Sequence, residues 1–154
     1  MTRALTSAAR AEIARRALHR CSYCQSQEDV VGALFTVDHI IPQALGGSDE
    51  LDNLCLACWD CNRIKQTHVT GIDPHTGQRV PLYDPSQQLW DEHFAWSEDA
   101  TLIVGLTPAG RATIVQLQLN RSILVRARAL DSCRLASSAF ISFNSAHMLF
   151  IRLE

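Results

Sequence analysis

The chain has 154 residues, enough for one domain or one small module with an extension; 47% are hydrophobic and only 6% aromatic. No apolar run reaches the roughly 18–20 residues of a membrane span, and the opening MTRALTSAARAEIARRALHRC has arginines but no apolar secretory segment, so a cytoplasmic protein is expected. The net charge of −2 argues only weakly against indiscriminate nucleic-acid binding, because the charge is unevenly spread. Residues 1–20 hold five Arg against Glu12, residues 111–128 four Arg and no acid, and residues 84–99 five acids and no base. The two basic segments suit phosphate, and suit ordinary solvated helix faces equally well.

In chain order, Ala9, Ile13, Ala14, Ala17 and Leu18 recur at helical spacing and predict an amphipathic helix over 7–20. It runs into a tight knuckle, Cys21-Ser-Tyr-Cys24. The β-branched, apolar run 30–41, with Gly32 inside it, suggests a hairpin. Pro42 and Gly46-Gly47-Ser48-Asp49 mark a loop, and Asp52-Asn53-Leu54 leads into CLACWDCNRIKQTH, whose latter part reads as a helix. Residues 71–86 hold three of the five prolines and two glycines and read as an ordered loop or linker, the expected boundary between a module at 1–70 and an extension at 71–154. Residues 101–119 read as two strand-like runs around a turn at Pro108-Ala109-Gly110, and Asn120 to Leu130 as a helix. The tail beyond has no clear period, and no internal repeat is found.

Six cysteines, five of them in residues 21–61, point to metal before disulfide in such a chain. Cys21-x-x-Cys24 and Cys58-x-x-Cys61 are two CxxC pairs with 33 residues between them. Zinc prefers tetrahedral thiolate sets, and CxxC lets two sulfurs reach one ion. The plainer alternative is buried, unliganded cysteines. Cys55-x-x-Cys58 is also a CxxC, but Cys58 and Cys61 sit at the mouth of the expected helix, while Cys55 follows Leu54 as a core residue would. Cys133 reads as a lone small hydrophobe.

Between the pairs lies VDHIIPQALGGSDELDNL, followed by CNRIK. Asp38-His39, Asn53 and Asn62 at this spacing resemble the HNH nuclease motif, in the variant with Asn at the last position. The string DHIIPQ, the Asp52-Asn53 dipeptide and the NRxK ending are also similar to the HNH domain of RNA-guided CRISPR effectors. The cysteine pairs resemble the stand-alone bacterial and phage branch. The likeness covers residues 20–68. It implies an α+β fold: a zinc-bound ββα-metal core, preceded by a helix and followed by a β-hairpin and helix extension.

The chemistry implied is phosphodiester hydrolysis of DNA, as nicking or cleavage, leaving 5′-phosphate and 3′-hydroxyl ends. His39, with an ordinary pKa near ~6.5, suits the base that deprotonates water. Asp38 and Asn62 are hard oxygen ligands for Mg²⁺ or Mn²⁺. Neighbours on a strand point to opposite sides, so Asp38 and His39 converge only where the strand ends or distorts. By resemblance, Asn53 braces the loop and orients the His39 side. Lys65, on the Asn62 face of the helix, and Arg63 are expected to meet phosphate. Trp59, Trp90 and Trp96 read as core or interface packing, with Trp59 near enough to stack a base. An isolated Asp-His or Asn means little, and the case rests on joint spacing bracketed by zinc ligands. The rival from another class is a zinc-stabilised nucleic-acid-binding or adaptor module without catalysis.

Overall fold

In a computed structural model of the chain, the described residues are 5–130. Cys133 and the tail without clear period lie outside them. The described chain forms two compact units: residues 5–95 with 103–119, and residues 96–102 with 120–130.

The first unit opens with helix α1 (Ser7–Arg16), whose N-cap Thr6 accepts a hydrogen bond from the Ala9 amide through Oγ1 at 3.2 Å. Arg15 and Arg16, in its last turn, both bond Glu12. The helix is shorter than the periodicity suggests. Leu18 and His19 adopt positive φ (50° and 56°), and this left-handed pair turns the chain into the cysteine knuckle. Ile13 and Ala14 are the residues α1 buries.

The expected hairpin over 30–41 is not formed. Its first residues belong to a one-turn helix, α2 (Glu28–Val31), stopped by Gly32 in the left-handed region at φ 70°. Strand β1 (Thr36–His39) pairs instead with β2 (Leu54–Ala57), antiparallel, from Thr36↔Ala57 to His39↔Leu54. β2 is buried along its whole length, so a continuous apolar run was the sign of β1's partner, further along the chain. The intervening loop carries 3₁₀ turns at Gln43–Leu45 and Leu51–Asn53. Helix α3 (Trp59–Lys65) follows and packs on β1, completing a ββα unit.

Residues 71–86, expected as a loop, contain most of a second hairpin, β3 (Thr70–Ile72) with β4 (Arg79–Pro81), and fall in the same compact unit as the ββα element. Pro81 closes the end strand of a two-stranded sheet, where a missing N–H is tolerated. After α4 (Trp90–His93), β5 (Phe94–Trp96) and β6 (Ile103–Gly105) form a third two-stranded sheet. The second strand-like run is a helix, α5 (Pro108–Gln116). Thr107 caps it by accepting from the Gly110 amide at 3.0 Å, and Pro108 takes the first helical position, where no N–H is needed. That start signal outweighs the β-branched Thr113, Ile114 and Val115. Packing adds to it: α5 lies on β3, and Arg111 grips the fully buried Asp73 with two bonds of 2.7 and 2.8 Å.

In the second unit, residues 122–130 are helical. Arg128 donates to the Thr101 carbonyl and to Asn120 Oδ1, and lies 5.1 Å from the centre of the Trp96 ring. No helix of the described residues is long and apolar enough to cross a membrane.

Candidate metal and nuclease site

The four sulfurs of Cys21, Cys24, Cys58 and Cys61 lie within 4.8 Å of one another. Sulfurs bound at about 2.3 Å around a tetrahedral zinc are roughly 3.8 Å apart, and Cys24 Sγ and Cys58 Sγ are separated by 3.8 Å. Two local devices bring them together. The knuckle is closed by the Gln25 amide donating to the Cys21 carbonyl at 3.0 Å, and it docks on β2 through Ser22 N to Leu56 O at 2.8 Å. Cys58 is the N-cap of α3, so Cys61 rises from the helix's first turn.

The thiols perturb one another in opposite directions. Hydrogen bonding from Cys21 and Cys61 brings Cys58 down to about 7, and bonds from its three thiol neighbours lower Cys24 too, while burial raises Cys21. Crowded thiols of this kind suit a cation that all four can face as thiolates. Cys55 is outside the cluster: burial pushes it up to about 12, and its sulfur lies 3.5 Å from the Tyr23 hydroxyl. Cys21, Cys24, Cys58 and Cys61 are therefore positioned to form a zinc site, with Cys55 a core thiol outside it.

Beside it, the oxygen-bearing residues form two rungs between α3 and β1. Asn62 Nδ2 donates to Thr36 Oγ1 at 2.9 Å. Lys65 Nζ reaches both Asp38 oxygens, at 3.1 and 3.3 Å, and donates to the His39 carbonyl at 2.8 Å. Thr36 and Asp38 are two apart on a strand and so share a face. Asn62 and Lys65 are three apart on a helix and share a face as well. The Asn62 amide and the Asp38 carboxylate thus belong to the same β1–α3 seam. Asn62 Oδ1 has no hydrogen-bond partner among the described residues.

Asp38 is buried, and burial raises its pKa against the lowering pull of Lys65 and of the Tyr23 hydroxyl, which donates to Oδ2 at 2.8 Å. His39 points elsewhere. The β1 register stays regular through His39↔Leu54, so no distortion folds its ring toward the Asp38 carboxylate. Its Nε2 lies 2.8 Å from Asp49 Oδ1, and Gln43 Nε2 holds the same oxygen at 2.6 Å. The bond to His39 keeps the Asp49 carboxyl below its ordinary range. His39 Nδ1 is left without a hydrogen-bond partner among the described residues.

Asn53, buried at the end of a 3₁₀ turn, ties the loop after β1 to β2. Its Oδ1 accepts from the Ile41 amide at 2.9 Å, and its Nδ2 donates to the carbonyls of Ile41 and Ser48 at 2.9 and 2.8 Å. Gly47 permits this approach: a Cβ there would overlap the Ile41 carbonyl and sit 2.8 Å from Asn53 Nδ2.

Of the two expected phosphate contacts, one meets a different placement. Lys65, the only lysine in the chain, is 2% exposed, with its ammonium directed to Asp38 rather than to solvent. Arg63 is exposed, with Asp60 3.4 Å away. Among the tryptophans, Trp59 is 68% exposed and so not core, whereas Trp90 is half-buried and donates to the Tyr23 carbonyl at 3.2 Å. A cavity of about 260 Å³ opens beside Lys65, walled by Ile40, His68, Leu82, Tyr83 and Asp84. Asp84 in its wall and the Lys65–Asp38 pair both work against a phosphate there.

Tyr23, Thr36 and Asp49 went unnoticed in the sequence. A tyrosine inside a CxxC knuckle that must bury its ring needs an acceptor for its hydroxyl, and that is the signal for Tyr23. Thr36 and Asp49 offered none, since each matters through a partner 26 or 10 residues away.

Compared with known proteins, residues 21–68 match the model of the HNH endonuclease family, about a third of the chain. No curated protein and no solved structure matches.

Proposed function

We propose, from the HNH endonuclease domain that residues 21–68 form, that this protein is a metal-dependent nuclease hydrolysing phosphodiester bonds of DNA. The observation that supports this reading is that the matched segment leaves one imidazole nitrogen and one amide oxygen without a hydrogen-bond partner among the described residues. His39 is held at Nε2 by Asp49 with Nδ1 open, and Asn62 is held at Nδ2 by Thr36 with Oδ1 open, on the seam that carries Asp38.

Asp38 and Asn62 would hold Mg²⁺ or Mn²⁺, for which hard oxygen donors are suited. The fit is supported by the unengaged Asn62 Oδ1 and by the capacity of a carboxylate for about four hydrogen bonds or ligands. When bound, the ion supplies positive charge for the departing 3′ oxygen. His39, whose ring leaves β1 away from the Asp38 carboxylate, would take a proton from the attacking water at Nδ1 only on a phosphate that reaches both sides of the strand end, with Asp49 holding Nε2–H and stabilising the imidazolium. Asn53 keeps the loop carrying Ser48 and Asp49 in register with β2, so the acceptor for His39 arrives in place. Arg63, exposed on α3, is the side chain available to a substrate phosphate; Lys65 acts on Asp38.

The Lys65–Asp38 pair also favours the rival reading, a zinc-stabilised nucleic-acid-binding module, because an ammonium already neutralises the carboxylate. Nicking of supercoiled plasmid separates the two. The wild-type protein should nick with Mg²⁺ or Mn²⁺ and stop in EDTA, and His39→Ala should bind DNA yet nick little. Equal nicking by His39→Ala would remove His39 as the base, and none by the wild type would leave the binding module.

A further inference from the structure

We infer that Tyr23 is a positioning residue for Asp38, so that the zinc knuckle aims the catalytic carboxylate as well as scaffolding the fold. The inference rests on the nuclease reading above and adds to it the residue that sets the ligand's orientation.

Tyr23 lies between two zinc-ligand cysteines, and its ring is 1% exposed. Its backbone is fixed on several sides: by the cysteines flanking it, by the Ser22 amide on Leu56, and by the Trp90 indole on its own carbonyl. Little freedom remains to the ring except rotation about its own bonds. The single O–H it can donate goes to Asp38 Oδ2 at 2.8 Å, across 15 residues of sequence. The Cys55 sulfur, 3.5 Å from the same hydroxyl, borders it within the core.

Asp38 needs such a clamp. A carboxylate turns about a broad, roughly two-fold torsion, so packing around Cβ alone does not fix its plane. Lys65 contacts both oxygens at nearly equal distance, which holds the charge in place but distinguishes the two oxygens little. The Tyr23 hydroxyl does distinguish them. It engages Oδ2 from the knuckle while Lys65 approaches from α3, and the lone pairs left over have a defined direction. Outer partners of this kind typically govern ten- to hundredfold in metal affinity.

The test uses the zinc-loaded, full-length chain. Tyr23→Phe removes one oxygen and keeps the ring. Zinc content and circular dichroism should be unchanged, while Mn²⁺ affinity by calorimetry should weaken about ten- to hundredfold. In an Asp38→Asn background the same change should add no further loss. Unchanged Mn²⁺ affinity in Tyr23→Phe overturns the inference and leaves the nuclease reading standing. Absence of Mn²⁺ binding in the wild type overturns both.

If Tyr23→Phe fails to take up zinc, fluorotyrosine incorporation answers the same question in the unmutated fold. The chain has two tyrosines, and Tyr83→Phe identifies the Tyr23 signal. That signal should shift as Mg²⁺ saturates, and a Tyr23 signal that stays still through saturation overturns the inference.

Discussion

Within residues 21–68 lie four converging sulfurs and, on the nuclease reading proposed above, a second metal site built of oxygens, and the protein prepares the two differently. The sulfurs already converge within 4.8 Å of one another, with Cys24 Sγ and Cys58 Sγ 3.8 Å apart, near the separation of zinc-bound thiolates. The other set lies along the β1–α3 seam with each residue tied to protein: the Asp38 carboxylate to Lys65 and Tyr23, Asn62 through its Nδ2 to Thr36 with Oδ1 left open, and the neighbouring His39 to Asp49. A structural site gains by being complete before anything else arrives, since metal binding is then folding energy. A catalytic site must stay open to substrate, and its charges need local partners until a cation and a phosphate replace or join them. On the proposed reading, the contrast between sulfur and oxygen is a contrast between holding and exchanging.

The sharpest way to break the comparison is at the sulfurs. Cys58→Ser removes a thiolate from a site whose metal contributes on the order of 10 kcal/mol or more in small zinc modules. It also alters the N-cap of α3, so the expected product is insoluble or molten protein without zinc. Purified wild-type protein free of zinc by elemental analysis would remove this half of the comparison.

At the oxygens, variants should lose function and keep the fold. His39→Ala should retain zinc and circular dichroism while activity falls roughly 10²–10⁴-fold, the usual contribution of a positioned base. Asn62→Ala should raise the Mg²⁺ requirement by at least the roughly tenfold expected even for an outer partner. Its cost in stability should be only about 1 kcal/mol, from the bond to Thr36. A large drop in melting temperature without a change in Mg²⁺ requirement would make Asn62 a structural residue.

The smallest expected effect lies outside both sites. Arg111 holds the Asp73 carboxyl well below the ordinary carboxylate range. A carboxyl depressed on folding stabilises the protein above its unfolded pKa of ~3.9, and that contribution fades as pH falls below it. Wild-type melting temperature should therefore decline in acid more steeply than that of Asp73→Asn, with zinc content and nicking at neutral pH similar in both. Parallel acid limbs would show that the pair contributes nothing measurable.

How much of this was legible in the sequence follows the range of each interaction. The cysteine pairs were legible because two CxxC spacings state their own chemistry, and the ββα order was legible through the DHIIPQ, Asn53 and NRxK landmarks. Helix α5 was misread since Thr113, Ile114 and Val115 carry strand propensity, although Thr107-Pro108 spelled a helix start. The partner of β1 was misjudged because pairing skips a loop of 14 residues to reach Leu54. Lys65 was turned the wrong way: helical spacing put it correctly on the Asn62 face, but nothing local says that this face looks inward. Its being the only lysine beside thirteen arginines was a usable hint, as the rest of the chain uses arginine for its surface charge.

The central claim is that one chain holds a folding metal in sulfur and a working metal in oxygen, and graded chelation tests it directly. A mild EDTA dose added to zinc-loaded protein should stop plasmid nicking while zinc content and circular dichroism stay constant, and excess Mg²⁺ should restore nicking. Loss of nicking only in step with zinc and helicity would contradict the claim, as would silence with both Mg²⁺ and Mn²⁺ on supercoiled plasmid, single-stranded DNA and RNA.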